Sequence, residues 1–345
     1  MSLLVYYTRG DFFMIRCAVV GATGLVGNMF LKVLEEKNLN IDEYVLFASS
    51  KSKGKKVKFF DKEYEIQELT KNSFKNTKFN YALFSAGGNI SQKYSPIAAK
   101  TGCIVIDNSS AFRMKEDVPL VVPEVNMPDA YINSGIIANP NCSTIQAVIL
   151  LSILNKYYKI KRVVYTTFQA VSGAGVKGIE DLKNTQRGLK ESKFPYPIYN
   201  NCIPQIDVFL ENNYTKEEMK MIEETRKILH IPNLSITATC VRVPVENSHS
   251  ESINVEFENE FDIDELKENL KKEKGIVLLD DLKNEKYPLA TLASGKDDVF
   301  VGRIRRDFSV KSGINLWCVA DNIRKGAATN AVQILENLLN KRLGN

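Results

Sequence analysis

A strand, a glycine-spaced turn and a helix follow one another at the start of this chain, and few folds accept that succession. Ile15-Arg16-Cys17-Ala18-Val19-Val20 reads as a short β-strand. It enters Gly21-Ala22-Thr23-Gly24-Leu25-Val26-Gly27, and Asn28 to Glu36 reads as a helix. Strand, G-x-x-G-x-x-G, helix is a variant of the dinucleotide fingerprint. Gly21, Gly24 and Gly27 permit a tight turn and close approach of backbone to a pyrophosphate, and the helix N-terminus stabilises the phosphate charge. The competing reading is a plain strand-to-helix turn.

The next strand, Tyr44 to Ala48, should carry the ribose-reading residue at its end, where an NAD enzyme usually has an acid. This chain has Ser49-Ser50-Lys51-Ser52-Lys53-Gly54-Lys55 instead. Hydroxyls and lysines suit a 2′-phosphate, so NADP is expected over NAD, with a merely solvated basic loop as the alternative. Tyr81 to Phe84 and Ile104 to Asp107 read as further buried strands, and Ser91 to Lys100 as a helix between them. Strands alternating with helices predict a parallel, doubly wound sheet with ligand sites at the strands' carboxyl ends. Arg113 lies beyond one such end, placed to grip a substrate phosphate or to be an ordinary surface arginine.

A length of 345 residues suggests two domains or one large α/β domain, and a net charge of +5 with interspersed signs gives no nucleic-acid stripe. No apolar run reaches the ~18 residues of a membrane-spanning helix. The six cysteines, Cys17, Cys103, Cys142, Cys202, Cys240 and Cys318, form no C-x-x-C pair. They read as free thiols in a reducing compartment, which points to the cytoplasm, with Cys103 and Cys318 as core. No metal is called for. Residues 1–13 lack a signal-peptide pattern, and the functional fold is expected to begin at Met14. Those first residues read as an upstream-start artefact or an ordered extension.

Cys142 stands in Asn139-Pro140-Asn141-Cys142-Ser143-Thr144, just before an apolar stretch from Ile145 to Leu154 that reads as a buried helix. Pro140 blocks a helix upstream, and Asn141, Ser143 and Thr144 favour a helix start. A thiol there faces free N–H groups and the positive end of the helix dipole, which favour thiolate. Alone, Cys142 would be a small buried residue at a loop-to-helix junction. Further on the texture becomes β-rich. Val163 to Val171, Leu234 to Pro244 and Glu251 to Phe257 are strand-like, and Lys216 to Leu229 is a charged helix with Met219, Ile222 and Leu229 on its apolar side. That predicts an α+β domain. Of two histidines, His230 closes the charged helix, whereas His249 sits in a polar cluster between strand-like segments, a better place for a catalytic base. Arg242, inside an apolar strand, needs a partner or a ligand. A cysteine nucleophile, a histidine base and a nicotinamide cofactor imply thiol-dependent aldehyde oxidation through a thioester, with phosphate or water as the final nucleophile.

Across residues 14–339 the chain resembles the bacterial type of aspartate-semialdehyde dehydrogenase. The glycine loop, Asn139 to Thr144, Gln169-Ala170-Val171-Ser172-Gly173, Arg242-Val243-Pro244 and His249-Ser250-Glu251-Ser252 carry the resemblance. So do Gly302-Arg303-Ile304-Arg305 and the segment from Asp321-Asn322 to Gly326-Ala327-Ala328. It implies a Rossmann-like NADP-binding domain over 14–140 plus a returning C-terminal helix in 326–345. A glyceraldehyde-phosphate-dehydrogenase-like catalytic and dimerisation domain would cover 141–325. The implied reaction interconverts aspartate 4-semialdehyde and aspartyl 4-phosphate with NADP, feeding lysine through diaminopimelate, methionine and threonine. Cys142 would form the acyl-thioester, His249 would be the acid/base and Gln169 would orient the substrate. Arg242 would hold the substrate carboxylate and Glu217 its amino group. Arg113, Lys220 and Asn141 would bind phosphate. Thr23, Gly24, Leu25, Val26, Lys51, Ser52, Ser172, Gly173 and Asn322 would contact NADP. Lys51 stands where many relatives have arginine, a less directional phosphate partner. The family assembles through its catalytic domains, so a homodimer is expected, with a tetramer as the larger alternative. Two rivals remain: N-acetyl-glutamyl-phosphate reductase, whose cysteine usually follows glycine where this chain has Asn141, and a non-catalytic NADP sensor.

Overall fold

The computed structural model describes residues 14–344, so the readings of residues 1–13 fall outside the described part. Apolar runs near the N-terminus form a six-stranded, all-parallel sheet. In chain order its strands are β1 (Arg16–Val20), β2 (Glu43–Ala48), β5 (Gln67–Glu68), β6 (Tyr81–Phe84), β7 (Ile104–Asp107) and β8 (Ile136–Ala138). A small hairpin, β3 (Lys56–Phe59) with β4 (Lys62–Glu65), is inserted before β5. The spatial order β5-β2-β1-β6-β7-β8 is 3-2-1-4-5-6 for the sheet's own strands. The order reverses beside β1, so a crevice opens at its carboxyl end. The glycine loop emerges there. Gly21 has φ +85°, and a Cβ on it would lie 2.3 Å from the Ser85 carbonyl oxygen. A Cβ on Gly27 would lie 2.0 Å from the Gly21 oxygen, so the following helix, Leu25–Lys37, closes tightly on the loop.

Alternation along the strands divides the sheet's two faces. Cys17, Val19, Leu46, Leu83 and Ile106 pack against Phe30 and Leu34 of the glycine-loop helix and against Ala331 and Leu335 of the C-terminal helix, Asn330–Leu343. Ala18, Val20, Ala82 and Phe84 face the other way, into a core continuous with the helix Cys142–Tyr158. That helix is apolar on nearly every side because it lies between two layers.

The second layer is a mixed sheet ordered β10-β9-β11-β14-β13-β12. Its strands are β9 (Ile160–Gln169), β10 (Ser235–Arg242), β11 (His249–Phe257), β12 (Ile276–Leu278), β13 (Val299–Arg306) and β14 (Gly313–Ala320). Register sets two neighbouring rows of side chains on its inner face. Arg242 pairs with Gln169, and His249 with Ala320, at the strand ends. Two residues deeper, Cys240 pairs with Thr167, Thr167 with Glu251, and Glu251 with Cys318. His249 is thus the first residue of a strand, where the sequence suggested a linker between strands. Among the described residues no helix is long and apolar enough to cross a membrane.

Candidate active site

The nucleophile candidate is placed by its predecessor. Asn141 is the N-cap of the Cys142–Tyr158 helix, and its Oδ1 accepts the N–H groups of Ser143 (3.0 Å) and Thr144 (3.3 Å). Cys142 is therefore the first helical residue, at the positive end of the dipole. Its Sγ lies 3.2 Å from His249 Nε2. The backbone N–H of Ala170 donates to His249 Nδ1 at 3.0 Å. With Nδ1 acting as acceptor, the neutral ring carries its proton on Nε2, facing the sulfur. Burial, reinforced by the Arg242 guanidinium, depresses the imidazole to about 3, so the ring is neutral at physiological pH. Gln146, one turn beyond Cys142, donates to the His249 carbonyl at 3.3 Å.

Thiolate is not the resting form. Burial, and next the Glu217 carboxylate, push the Cys142 thiol up to about 12 despite Arg113, Arg242 and Lys220. The helix-dipole argument from sequence saw the N–H groups but not the carboxylate that a distant helix brings in.

That helix, Lys216–Ile228, starts with a reciprocal capping box between Thr215 and Glu218. Its Glu217 accepts from Asn141 Nδ2 (2.8 Å), Gln169 Nε2 (3.1 Å) and Lys220 Nζ (2.9 Å). Burial would raise this carboxyl, but Lys220 and the two amides outweigh it and hold it at about 2. Lys220 also pairs with Asp207 at 2.9 Å. Gln169 Nε2 further bonds Ser143 Oγ. Arg242 Nη1 donates to the Ala170 carbonyl at 2.7 Å, and the guanidinium lies 5.8 Å from the Phe194 ring centroid. Arg113 is buried, bonded to Asn139 O, Asn108 O and Glu224, and is not a surface arginine.

One cavity of about 840 Å³ collects Arg113, Asn141, Cys142, Gln169, Glu217, Lys220, Arg242 and His249, and Leu25 and Val26 at the end of the glycine loop line it too. Ser172, Gly173 and Asn322 are also in its lining. Asn322 Nδ2 donates to Ser172 Oγ (3.0 Å), and its Oδ1 accepts from Ser248 N–H (2.9 Å). Gly173 lies so close that a Cβ would be 2.9 Å from Arg242 Nη1. Gly21, Thr23, Gly24, Gly27, Lys51 and Ser52 lie outside that lining. Thr23 Oγ1 is 3.4 Å from Ser52 Oγ, which brings the glycine loop beside the basic loop after β2. The glycine-loop helix has no side-chain cap and no acid in its first turn, so its N–H groups stay available to an anion. Those features fit a dinucleotide, and exposed Lys51 fits a 2′-phosphate.

Sequence reading missed Glu224 and Asp207. On the charged helix Ile222 is buried and Met219 and Leu229 pack against the core, as expected, but Glu217, Glu218 and Glu224 are buried as well. The 217, 220, 224 spacing is helical and could have flagged one polar face, had partners 100 residues away been visible.

Residues 16–133 match the family model described as semialdehyde dehydrogenase, NAD binding domain, and residues 150–325 match its dimerisation domain. Aspartate-semialdehyde dehydrogenase of Aquifex aeolicus is 54% identical over 95% of this chain and 99% of its own length. The chain belongs to the aspartate-semialdehyde dehydrogenase family. It is accordingly an oxidoreductase. The Bacillus subtilis relative is 48% identical over 93% of this chain and 96% of its own. The structure of aspartate semialdehyde dehydrogenase II from Vibrio cholerae complexed with ASA superposes with a TM-score of 0.90 at 46% identity, covering 96% of this chain and 99% of that one. The Candida albicans enzyme with NADP gives 0.76 at 26% identity, covering 95% and 99%.

Proposed function

We propose that this chain interconverts aspartate 4-semialdehyde and aspartyl 4-phosphate through a Cys142 thioester, using NADP. The observation that carries the reading is the Cys142–His249 contact in a cavity that Leu25 and Val26, at the end of the glycine loop, also line. In the oxidative direction Sγ attacks the aldehyde carbon and the carbonyl electron pair moves to oxygen. His249 Nε2–H gives its proton to that oxygen and the freed Nε2 takes the thiol proton, so no charge is stranded in a buried site. Gln169 orients the adduct. Arg242 holds the substrate carboxylate and Glu217, kept ionised by Lys220, takes the ammonium. When bound, the nicotinamide supplies or accepts the hydride. Arg113 and Lys220 hold phosphate, with Asn141 beside it; phosphate takes the hydroxyl proton released with the hydride, its oxygen then attacks the thioester carbon, the C–S bond breaks, and a phosphate proton returns to sulfur through His249 Nε2. A neutral resting thiol suits this scheme, because it resists oxidation until substrate arrives.

Gly21 to Gly27, Lys51, Ser52, Ser172, Gly173 and Asn322 are assigned to NADP. The aspartate route to lysine, methionine and threonine, and a cytoplasmic site, are part of the same proposal. A homodimer through the second sheet is supported by its outer face, where Phe168, Ser252 and Trp317 are only half-buried.

The test is formation of reduced nicotinamide from aspartate 4-semialdehyde, phosphate and NADP. Phosphate-dependent turnover is expected in the wild type and none in Cys142→Ala. An inert but folded, NADP-binding wild type, or activity surviving in the variant, would overturn the reading.

A further inference from the structure

One buried carboxylate stands directly behind the site without reaching it. Glu224 is 1% exposed and does not line the cavity. Its Oε1 takes Arg113 Nη1 at 3.0 Å, and its Oε2 takes the backbone N–H of Asn141 at 2.6 Å. Asn141 is the residue before Cys142 and caps the cysteine's helix. Glu217, two turns earlier on the same helix, holds the Asn141 side chain. The nucleophile's helix start is therefore gripped twice by one partner helix, once through backbone and once through side chain.

The same carboxylate fixes Arg113. A guanidinium has five N–H donors. Three are committed here: Nε to Asn139 O at 2.9 Å, Nη1 to Glu224, and Nη2 to Asn108 O at 3.0 Å. One donor on each Nη is left, and Arg113 lines the cavity. A guanidinium anchored at three points, with two donors left on a residue that lines the cavity, is suited to orient an anion. Lys227, one turn beyond Glu224, donates to the carbonyls of Arg113, Lys115 and Val118 at 2.7–2.8 Å, and so ties the arginine's loop to the same helix.

We propose that Glu224 is a positioning residue of the reaction, whose single carboxylate sets both the aim of the Arg113 fork and the seat of Cys142. The first half rests on the reading of Arg113 as a phosphate contact; the second does not. Glutamine cannot replace it, because an amide has one acceptor oxygen and its NH2 would face a donor.

Phosphate KM separates positioning from charge. If Glu224 were only a counter-charge, Glu224→Gln would free a cation and phosphate KM would fall. A mis-aimed fork raises it: we expect phosphate KM to rise about fivefold or more, with the semialdehyde KM within about twofold and kcat reduced. A phosphate KM unchanged or lowered in folded Glu224→Gln overturns the first half. If Arg113→Ala leaves phosphate KM unchanged, it is the phosphate reading that fails. The second half is then decided on Glu224→Ala by iodoacetamide alkylation of Cys142, with no substrate present. A rate changed about threefold or more supports the clamp, and a wild-type rate over the whole pH profile overturns it.

Discussion

Replacing Glu251 by glutamine exchanges a buried acid for a group that cannot titrate. Glu251 is fully buried, and neither carboxylate oxygen has a hydrogen-bond partner among the described residues. Thr167 and Cys318 flank it in the sheet, and Cys240 and Tyr165 are the other titratable groups that feel its charge; none is a cation. Burial alone holds its carboxyl well above the ordinary value of 4.5. The native state therefore keeps a proton that the unfolded chain releases above that ordinary value. Stability from this group is complete below pH 4.5 and is lost as pH rises, until the folded group ionises. One proton corresponds to about 1.4 kcal/mol per pH unit. Between pH 5.5 and 7.5 the stability difference should thus move in favour of Glu251→Gln, at up to about 1.4 kcal/mol per pH unit for as long as the folded group keeps its proton. Urea unfolding followed by the single tryptophan, Trp317, beside Cys318 on β14, reads the relevant sheet. Only the slope is diagnostic, since a buried glutamine adds a pH-independent offset of its own. Parallel pH curves for the two proteins would refute the argument.

Other consequences are as direct. His249 should show no imidazole titration by NMR between pH 5 and 8, because burial and Arg242 hold it at about 3; a transition near its usual 6.5 would mean that the Ala170 N–H bond to Nδ1 is not kept. His249→Asn should lower kcat by roughly 10²–10⁴ with the fold intact. Gly326→Ala would place a Cβ 3.0 Å from that of Cys142. Steady-state kinetics should show a reduced kcat, and an unchanged value would mean that the turn yields without moving the nucleophile. Lys51→Glu puts a negative charge where a 2′-phosphate is expected, so the ratio of kcat/KM for NADP to that for NAD should fall about tenfold or more; an unchanged ratio would place ribose recognition elsewhere.

What the chain disclosed in advance was whatever is encoded locally. The glycine loop, the alternating strands around Tyr81 and Ile104, and the Asn-Pro-Asn-Cys helix start each rest on neighbours within a few residues. The resemblance supplied the rest of the site residues, and the structure gathers Cys142, Gln169, Arg242 and His249 into one cavity. Electrostatics was the illegible part. The thiol is pushed up by burial first and next by Glu217, 75 residues away, and the imidazole's tautomer rests on the backbone N–H of Ala170, just past the end of β9. Glu224 looked like one of several acids on a charged helix until Arg113 and Asn141 were seen against it. That helix packs against a polar site as well as the core, so beside its apolar side charges with partners take buried positions that an ordinary amphipathic helix gives to leucine.

The C-terminal helix carries a consequence for how the molecule is made. One face of the first sheet, with Cys17, Val19, Leu83 and Ile106, is sealed partly by residues 330–343, and buried Lys325 bonds Glu124 at 2.6 Å just before them. During synthesis these early strands emerge first and their covering emerges last. The first lobe must therefore wait, with part of its oily side wet, while some 180 residues of the second are translated. Ribosome-stalled chains ending before residue 330 should be open to protease across β1–β8, and release of the last helix should close them; resistance at the earlier stage would show that this lobe matures without its lid.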